Sequence, residues 1–224
     1  MEKITKKTMY GDMSFPRNDY IASKCDEHKW YHGKNCHTGN IIGRINSMIQ
    51  PNSNIIDVGA FVGTFSIPLL EEGHNSFMFE SCNDFYQILK ENTSKYSKAS
   101  CINKAAGNKN TRVGVSLQNI NFGGTHIKYG DDVDMITLDS FFTDINRVDF
   151  IKIDVESYEY YVLQGAIEII KKFKPVVLWE NLTPTFKDNS LDETLGKNGN
   201  CFSFLKDLGY NNHEDLSNNI LSYI

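Results

Sequence analysis

From Asn54 onward, short apolar runs alternate with stretches whose apolar residues recur at helical spacing. Ile55-Ile56-Asp57-Val58 predicts a short buried strand, and Gly63 to Glu72 a helix with Phe65, Leu69 and Leu70 on its apolar side. Ser76 to Glu80 predicts a second strand, and Asn83 to Ser94 a second helix with Phe85, Ile88 and Leu89 inward. Ala99 to Ala106 predicts a third strand. Residues 107–133 are polar and glycine-rich, with a strand at Val113–Val115 and a turn at Gly123-Gly124. Beyond them, Asp134 to Leu138 is extended, Asp149 to Asp154 is a strong strand and Tyr158 to Lys172 is a helix. Lys174 to Glu180 is another strand, with Pro175 near its start, where proline is tolerated. The tail predicts a helix over Phe202–Leu208 and a final hairpin. This alternation implies a doubly wound, mostly parallel α/β sheet. Residues 1–50 carry no strong strand pattern. They hold scattered aromatics (Tyr10, Phe15, Tyr20, Trp30, Tyr31), then a helix near 39–49 that stops before Pro51. The expected division is therefore an N-terminal cap, 1–50, over a main domain, 51–224.

Composition narrows the function classes. The 224 residues are 40% apolar and suit one globular α/β domain with a short appendage. A net charge of -5 argues against nucleic acid as a partner. No apolar stretch approaches the ~20 residues of a membrane span. The N-terminal residues lack the apolar region of a signal peptide. The five cysteines are odd in number and irregular in spacing, which implies free thiols and a cytoplasmic setting. Cys25, His28, Cys36 and His37 match no common zinc spacing, so no metal is assigned to them.

Two segments carry the chemistry. In Asp57-Val58-Gly59-Ala60-Phe61-Val62-Gly63-Thr64, Gly59 allows a tight strand-to-helix turn and Gly63 lets the helix pack close to the strand. The next strand ends at Glu80, where nucleotide-binding folds place an acid on the ribose hydroxyls. Both features suit NAD and S-adenosylmethionine alike. Asp57 separates them, because a carboxylate near the turn favours a sulfonium and an ammonium and repels a pyrophosphate. The second segment runs from Asp149 to Glu159 and concentrates three acids, Asp154, Glu156 and Glu159, at a strand end. In a doubly wound sheet this strand lies beside the first, so the two tips open into one crevice. Lys152 and Asp154 share a face by the period of two. Helix-dipole attraction explains Glu159 well, Glu156 partly and Asp154 poorly.

Together these segments resemble the FkbM-type methyltransferases. That family carries a DVGANxG-like first motif and a D-x-I-K-I-D-x-E-G-x-E second motif followed by V-L-x-G-A. The matches are Asp57-Val58-Gly59-Ala60 with Gly63, Asp149, Ile151 to Glu156, Glu159, and Val162-Leu163-Gln164-Gly165-Ala166. Asn103 to Gly107 is similar to the N-x-A-x-G stretch, and Glu180 to the acid ending the fifth strand. The likeness spans roughly residues 54–182. Three positions depart from the pattern: Phe61 stands at a usual Asn, Ser81 at a common Pro and Ser157 at the Gly of E-G-x-E.

The resemblance implies a Rossmann-like class I methyltransferase with a seven-stranded sheet, using S-adenosylmethionine. It implies that Gly59, Ala60, Phe61, Gly63 and Thr64 surround the methionyl part, with Asp57 nearby. Glu80 then holds the ribose with Ser81 beside it, and Ala105 lies near adenine, with Asn103 and Ala106 close by. The implied reaction is O-methylation of a hydroxyl, first of a sugar in a glycan and alternatively of a small molecule. Asp154 is the first choice of general base and Glu156 the second, while Lys152 bonds the acceptor or tunes Asp154. A Mg2+ ion on Asp154, Glu156 and Glu180 is weighed and not favoured. His126 is a weaker base candidate. Tyr20, Trp30 and Tyr31 either stack on the acceptor or pack the cap. An NAD-linked oxidoreductase or a non-catalytic nucleotide-binding module is the competing class.

Overall fold

The computed structural model describes residues 1–33, 40–118, 122–181, 199–216 and 218–224. The N-terminal region opens with a hairpin of β1 (Lys3–Thr8) and β2 (Gly11–Pro16), followed by a short 3-10 turn at Ile21–Lys24 and α1 (Ile41–Asn46). The Asn40 side chain starts α1 by accepting the Gly43 N–H at 3.1 Å. The hairpin corrects the expectation of a patternless cap. β1 holds Ile4 as its one apolar residue among lysines and threonines, so its apolar content is too low to read as a strand.

The main sheet follows in chain order. β3 (Asn54–Val58), α2 (Ser66–Glu71), β4 (Asn75–Phe79), α3 (Asn83–Thr93) and β5 (Ala99–Ile102) form its first half. The expected third strand ends at Ile102. The chain then leaves for a second, three-stranded sheet of β6 (Ala105–Ala106), β7 (Thr111–Ser116) and β8 (His126–Ile136). After α4 (Leu138–Phe141) come β9 (Phe150–Ile153), α5 (Glu159–Gln164), α6 (Ile167–Phe173) and β10 (Val176–Glu180). The single helix expected over 158–172 is two, broken at Gly165-Ala166. A Cβ on Gly165 would stand 1.9 Å from the Gly107 carbonyl oxygen, so this position admits only glycine beside the β6 turn. The chain closes with α7 (Gly199–Asp207) and the hairpin β11 (Asn212–Leu216) and β12 (Asn219–Tyr223).

The seven-stranded sheet has the order β11-β12-β10-β9-β3-β4-β5. Its five central and outer members from β10 to β5 pair in parallel, and β12 pairs antiparallel with both β10 and β11. This is the Rossmann-like doubly wound arrangement expected from the strand–helix alternation. All four residues of β9 are buried, as a strand covered on both faces requires. The switch in strand order falls between β3 and β9, where Asp57 is in register with Lys152. The N-terminal hairpin joins the sheet through Asn92 on α3, which bonds the Ser14 N–H and carbonyl and the Val62 carbonyl. Met13, Phe15, Cys25 and Trp30 share one apolar cluster with Val62, Ile67 and Ile88.

Cys82, Cys101 and Cys201 form no disulfide among the described residues. Cys36 and His37 lie outside the described residues. No described helix is long and apolar enough to cross a membrane.

Candidate active site

A turn with unusual backbone geometry joins β3 to α2. Gly59, Phe61 and Gly63 all have positive φ, at 80°, 51° and 94°. The N–H groups of Gly59 and Ala60 both donate to the Phe79 carbonyl, at 3.0 and 2.9 Å, so the turn folds over the tip of β4. A Cβ on Gly59 would stand 1.8 Å from the Asp154 carbonyl oxygen. The tips of β3 and β9 are thus in backbone contact, and only glycine permits it. Gly63 packs toward α3, where a Cβ would meet Leu89 Cδ1 at 3.1 Å.

Beneath this contact sits a buried ion cluster. Lys152 Nζ lies 3.2 Å from Asp57 Oδ1 and 3.3 Å from Asp154 Oδ2, and donates to the Gly59 carbonyl at 2.8 Å. Burial opposes the Lys152 charge, but the Asp154 and Asp57 carboxylates outweigh it and hold the amine above its ordinary value. Asp57 also accepts from the Ser66 hydroxyl at 2.7 Å. It is fully buried and faces Lys152 and α2.

Above the cluster opens a cavity of about 270 Å³. Its wall includes Gly59, Ala60, Phe61, Thr64, Glu80, Ser81, Ala105, Lys152, Asp154 and Glu156. Asp57 and Gly63 are not on that wall; the first reaches it through Lys152 and the second through packing. Tyr20, Tyr31 and His126 also line it, whereas Trp30 is buried behind, donating its Nε1–H to the Thr64 carbonyl at 2.7 Å. Asn103 stands behind Glu80, donating to the Glu80 carbonyl at 2.8 Å.

Glu80 is fixed on both oxygens. Oε2 accepts the Phe61 N–H and Oε1 the Cys82 N–H, each at 2.8 Å. Burial pushes its carboxyl up to about 7, against those two bonds and Lys152. At the other end of the cavity, Asp154, Glu156 and Glu180 each bring a carboxylate oxygen within 4.8 Å of the others. Such a set of hard oxygen donors matches what a Mg2+ ion accepts. Burial first, and the Asp154 charge second, push Glu156 and Glu180 well above the ordinary carboxyl range.

Glu156 and Ser157 are also left-handed, with φ of 56° and 78°. Ser157 and Phe61, which depart from the family pattern, therefore occupy the conformations that Gly and Asn favour. Several wall residues carried no sequence signal. Phe85 reads as an ordinary inward helix position, yet its ring meets the Phe61 ring edge-on at 4.8 Å. Ile127 comes from β8 of the second sheet and Phe122 from the 3-10 turn that precedes it, whose placement over the cavity no local pattern encodes.

A family model for the methyltransferase FkbM domain matches residues 50–211. The solved structure of the FkbM methyltransferase from Methylobacillus flagellatus KT superposes with a TM-score of 0.54 at 17% identity, over 80% of this chain and 45% of that one. The Pyrococcus abyssi tRNA (uracil-54, C5)-methyltransferase, solved with S-adenosyl-L-homocysteine, gives a TM-score of 0.51 at 13% identity, over 100% and 45% of the two chains. The chain thus spans under half the length of these neighbours, and at such identities they share its fold. None of the curated proteins matches the sequence.

Proposed function

This chain belongs to the FkbM methyltransferase family, and from that premise we propose that it is an S-adenosylmethionine-dependent O-methyltransferase acting on a sugar hydroxyl. The observation that carries the reading is the backbone contact of Gly59 with Asp154. It joins the glycine turn, the Glu80 carboxyl and the acid-rich tip of β9 around one cavity. The fit to the donor rests on that cavity: a glycine-lined end, a fixed carboxyl for two ribose hydroxyls, and an acidic end suited to a sulfonium. In this reading Gly59, Ala60, Phe61 and Thr64 hold the methionyl part, Glu80 the ribose with Ser81 beside it, and Ala105 the adenine. Asp57 and Gly63 act from behind the wall.

The bound donor supplies an activated methyl group whose departure leaves a neutral thioether. Asp154 accepts the proton of the attacking hydroxyl, a role worth about 10²–10⁴-fold. Lys152, held 3.3 Å away, keeps that carboxylate oriented and offsets its charge. Glu156 and Glu180, whose carboxyls burial raises, hydrogen-bond neighbouring sugar hydroxyls. Tyr20 and Tyr31 on the cap side offer ring faces to the C–H face of the sugar. Because the sulfonium needs no Lewis acid to leave, turnover is expected to survive a chelator.

Calorimetry with S-adenosylhomocysteine and with NAD tests the donor. Binding of the first alone supports the proposal, and binding of NAD alone ends it. A screen of monosaccharides, glycans and small-molecule alcohols with a radiolabelled methyl donor tests the acceptor. Label in small-molecule alcohols only would overturn the sugar assignment.

A further inference from the structure

We infer that Glu159 is a positioning residue for methyl transfer, gripping the turn that presents Asp154 and Glu156 to the cavity. The inference rests on the proposed donor site and extends it to a residue off the cavity wall. Its position in the first turn of α5 suggests simple attraction to the helix dipole. The side chain does something more specific. Glu159 is fully buried, and its Oε1 turns back to accept the Val155 N–H at 3.1 Å and the Ser157 N–H at 3.2 Å.

Those two N–H groups flank Glu156. The backbone between them runs through left-handed Glu156 and Ser157, a conformation that residues other than glycine avoid. Something must hold it, and one carboxylate oxygen shared by both flanking donors does so. The grip sets the direction of the Glu156 side chain and the exit of the chain from Asp154. Without it, the turn relaxes to ordinary φ values, and the Asp154 carboxylate, with the Glu156 carboxyl beside it, rotates away from the position of the sulfonium. The lost quantity is then the discrimination between a sulfonium and a neutral thioether, not the donor pocket itself.

That discrimination is measurable without knowing the acceptor. Calorimetric titration of the full chain with S-adenosylmethionine and with S-adenosylhomocysteine gives an affinity ratio for each variant. Losing both backbone hydrogen bonds at this turn should shift that ratio roughly tenfold against the sulfonium in Glu159→Ala. The affinity for the thioether should stay within about threefold, a change of under 1 kcal/mol. Glu159→Gln keeps an oxygen for both N–H groups and should retain the wild-type ratio. Glu159→Asp keeps the charge but is too short to span both donors, so it should behave like the Ala variant and replaces it should that variant not fold. An unchanged ratio in Glu159→Ala or Glu159→Asp overturns the inference, as does a ratio lost equally in Glu159→Gln, which would assign the effect to charge. Wild-type protein that binds neither compound overturns the donor site itself, which separates the two failures.

Discussion

Replacing Gly59 by Ala tests the contact on which the whole site depends. Gly59 has φ of 80°, and the added methyl would stand 1.8 Å from the Asp154 carbonyl oxygen and 2.9 Å from its carbon. Both atoms are backbone, so no side-chain rotation relieves the clash. The left-handed conformation alone costs a side chain about 1–2 kcal/mol. Forcing the β9 turn outward adds an overpacking cost of about 1–3 kcal/mol. The expected loss is about 2–5 kcal/mol. Gly73 supplies the internal control, because its φ is 84° and a Cβ there meets nothing within 4 Å. Gly73→Ala should carry only the conformational part. Urea unfolding of both variants, read as midpoint shifts at constant slope, separates the two contributions. S-adenosylhomocysteine titration should find binding lost in Gly59→Ala and kept in Gly73→Ala. Equal destabilisation of the two, with binding kept in both, would refute the argument that β3 and β9 touch at this point.

Three further outcomes follow from the site. Lys152→Met leaves the buried Asp57 carboxylate without its cation and should cost about 3–5 kcal/mol in urea unfolding, with partial recovery in the double variant with Asp57→Asn; a loss below about 1 kcal/mol would show that the cluster does not hold the strands. Ser157→Gly removes the left-handed strain at φ 78° and adds glycine's entropy cost, so it should change stability by less than about 1.5 kcal/mol, toward greater stability; a larger loss would show that the Ser157 side chain itself is needed. The Glu80 carboxyl, pushed up to about 7 from 4.5 by burial, stays protonated in the folded chain while the unfolded chain ionises. Its contribution to stability is full below pH 4.5 and is lost as pH rises to about 7. Glu80→Gln should flatten that part of the pH profile of the urea midpoint, and an identical profile would refute the assignment.

The alternation of strands and helices from Asn54 to Glu180 was legible because each strand is short, apolar and flanked by turn residues. The acids at strand ends were legible for the same reason, since topology brings parallel strand tips together. The side-chain direction of Asp57 was not. Placing it near the glycine turn is a statement about the backbone, whereas its partner Lys152 is set by register with a strand far along the chain. The N-terminal hairpin was hidden because its stability comes from Asn92 and the α3 face rather than from its own pattern. The break at Gly165 was hidden because its partners are distant in sequence: Gly107, whose carbonyl leaves no room for a Cβ, and Asp139, whose carboxylate accepts the Glu168 and Ile169 N–H groups at the start of α6. The left-handed turn at Glu156 and Ser157 was visible only as a departure from a family glycine, and its cause, the Glu159 grip, is three-dimensional.

The cavity's floor and its flanks have separate origins. The floor is main chain pressed against main chain, at Gly59 and Asp154, and tolerates almost no drift in sequence. The flanks come from the N-terminal region, at Tyr20 and Tyr31, and from the small second sheet and the turn leading into it, at Ile127 and Phe122. Neither flank contributes to the strand contact below. Flank substitutions, by descent or by engineering, can therefore reshape the cavity while the Gly59–Asp154 contact stays intact.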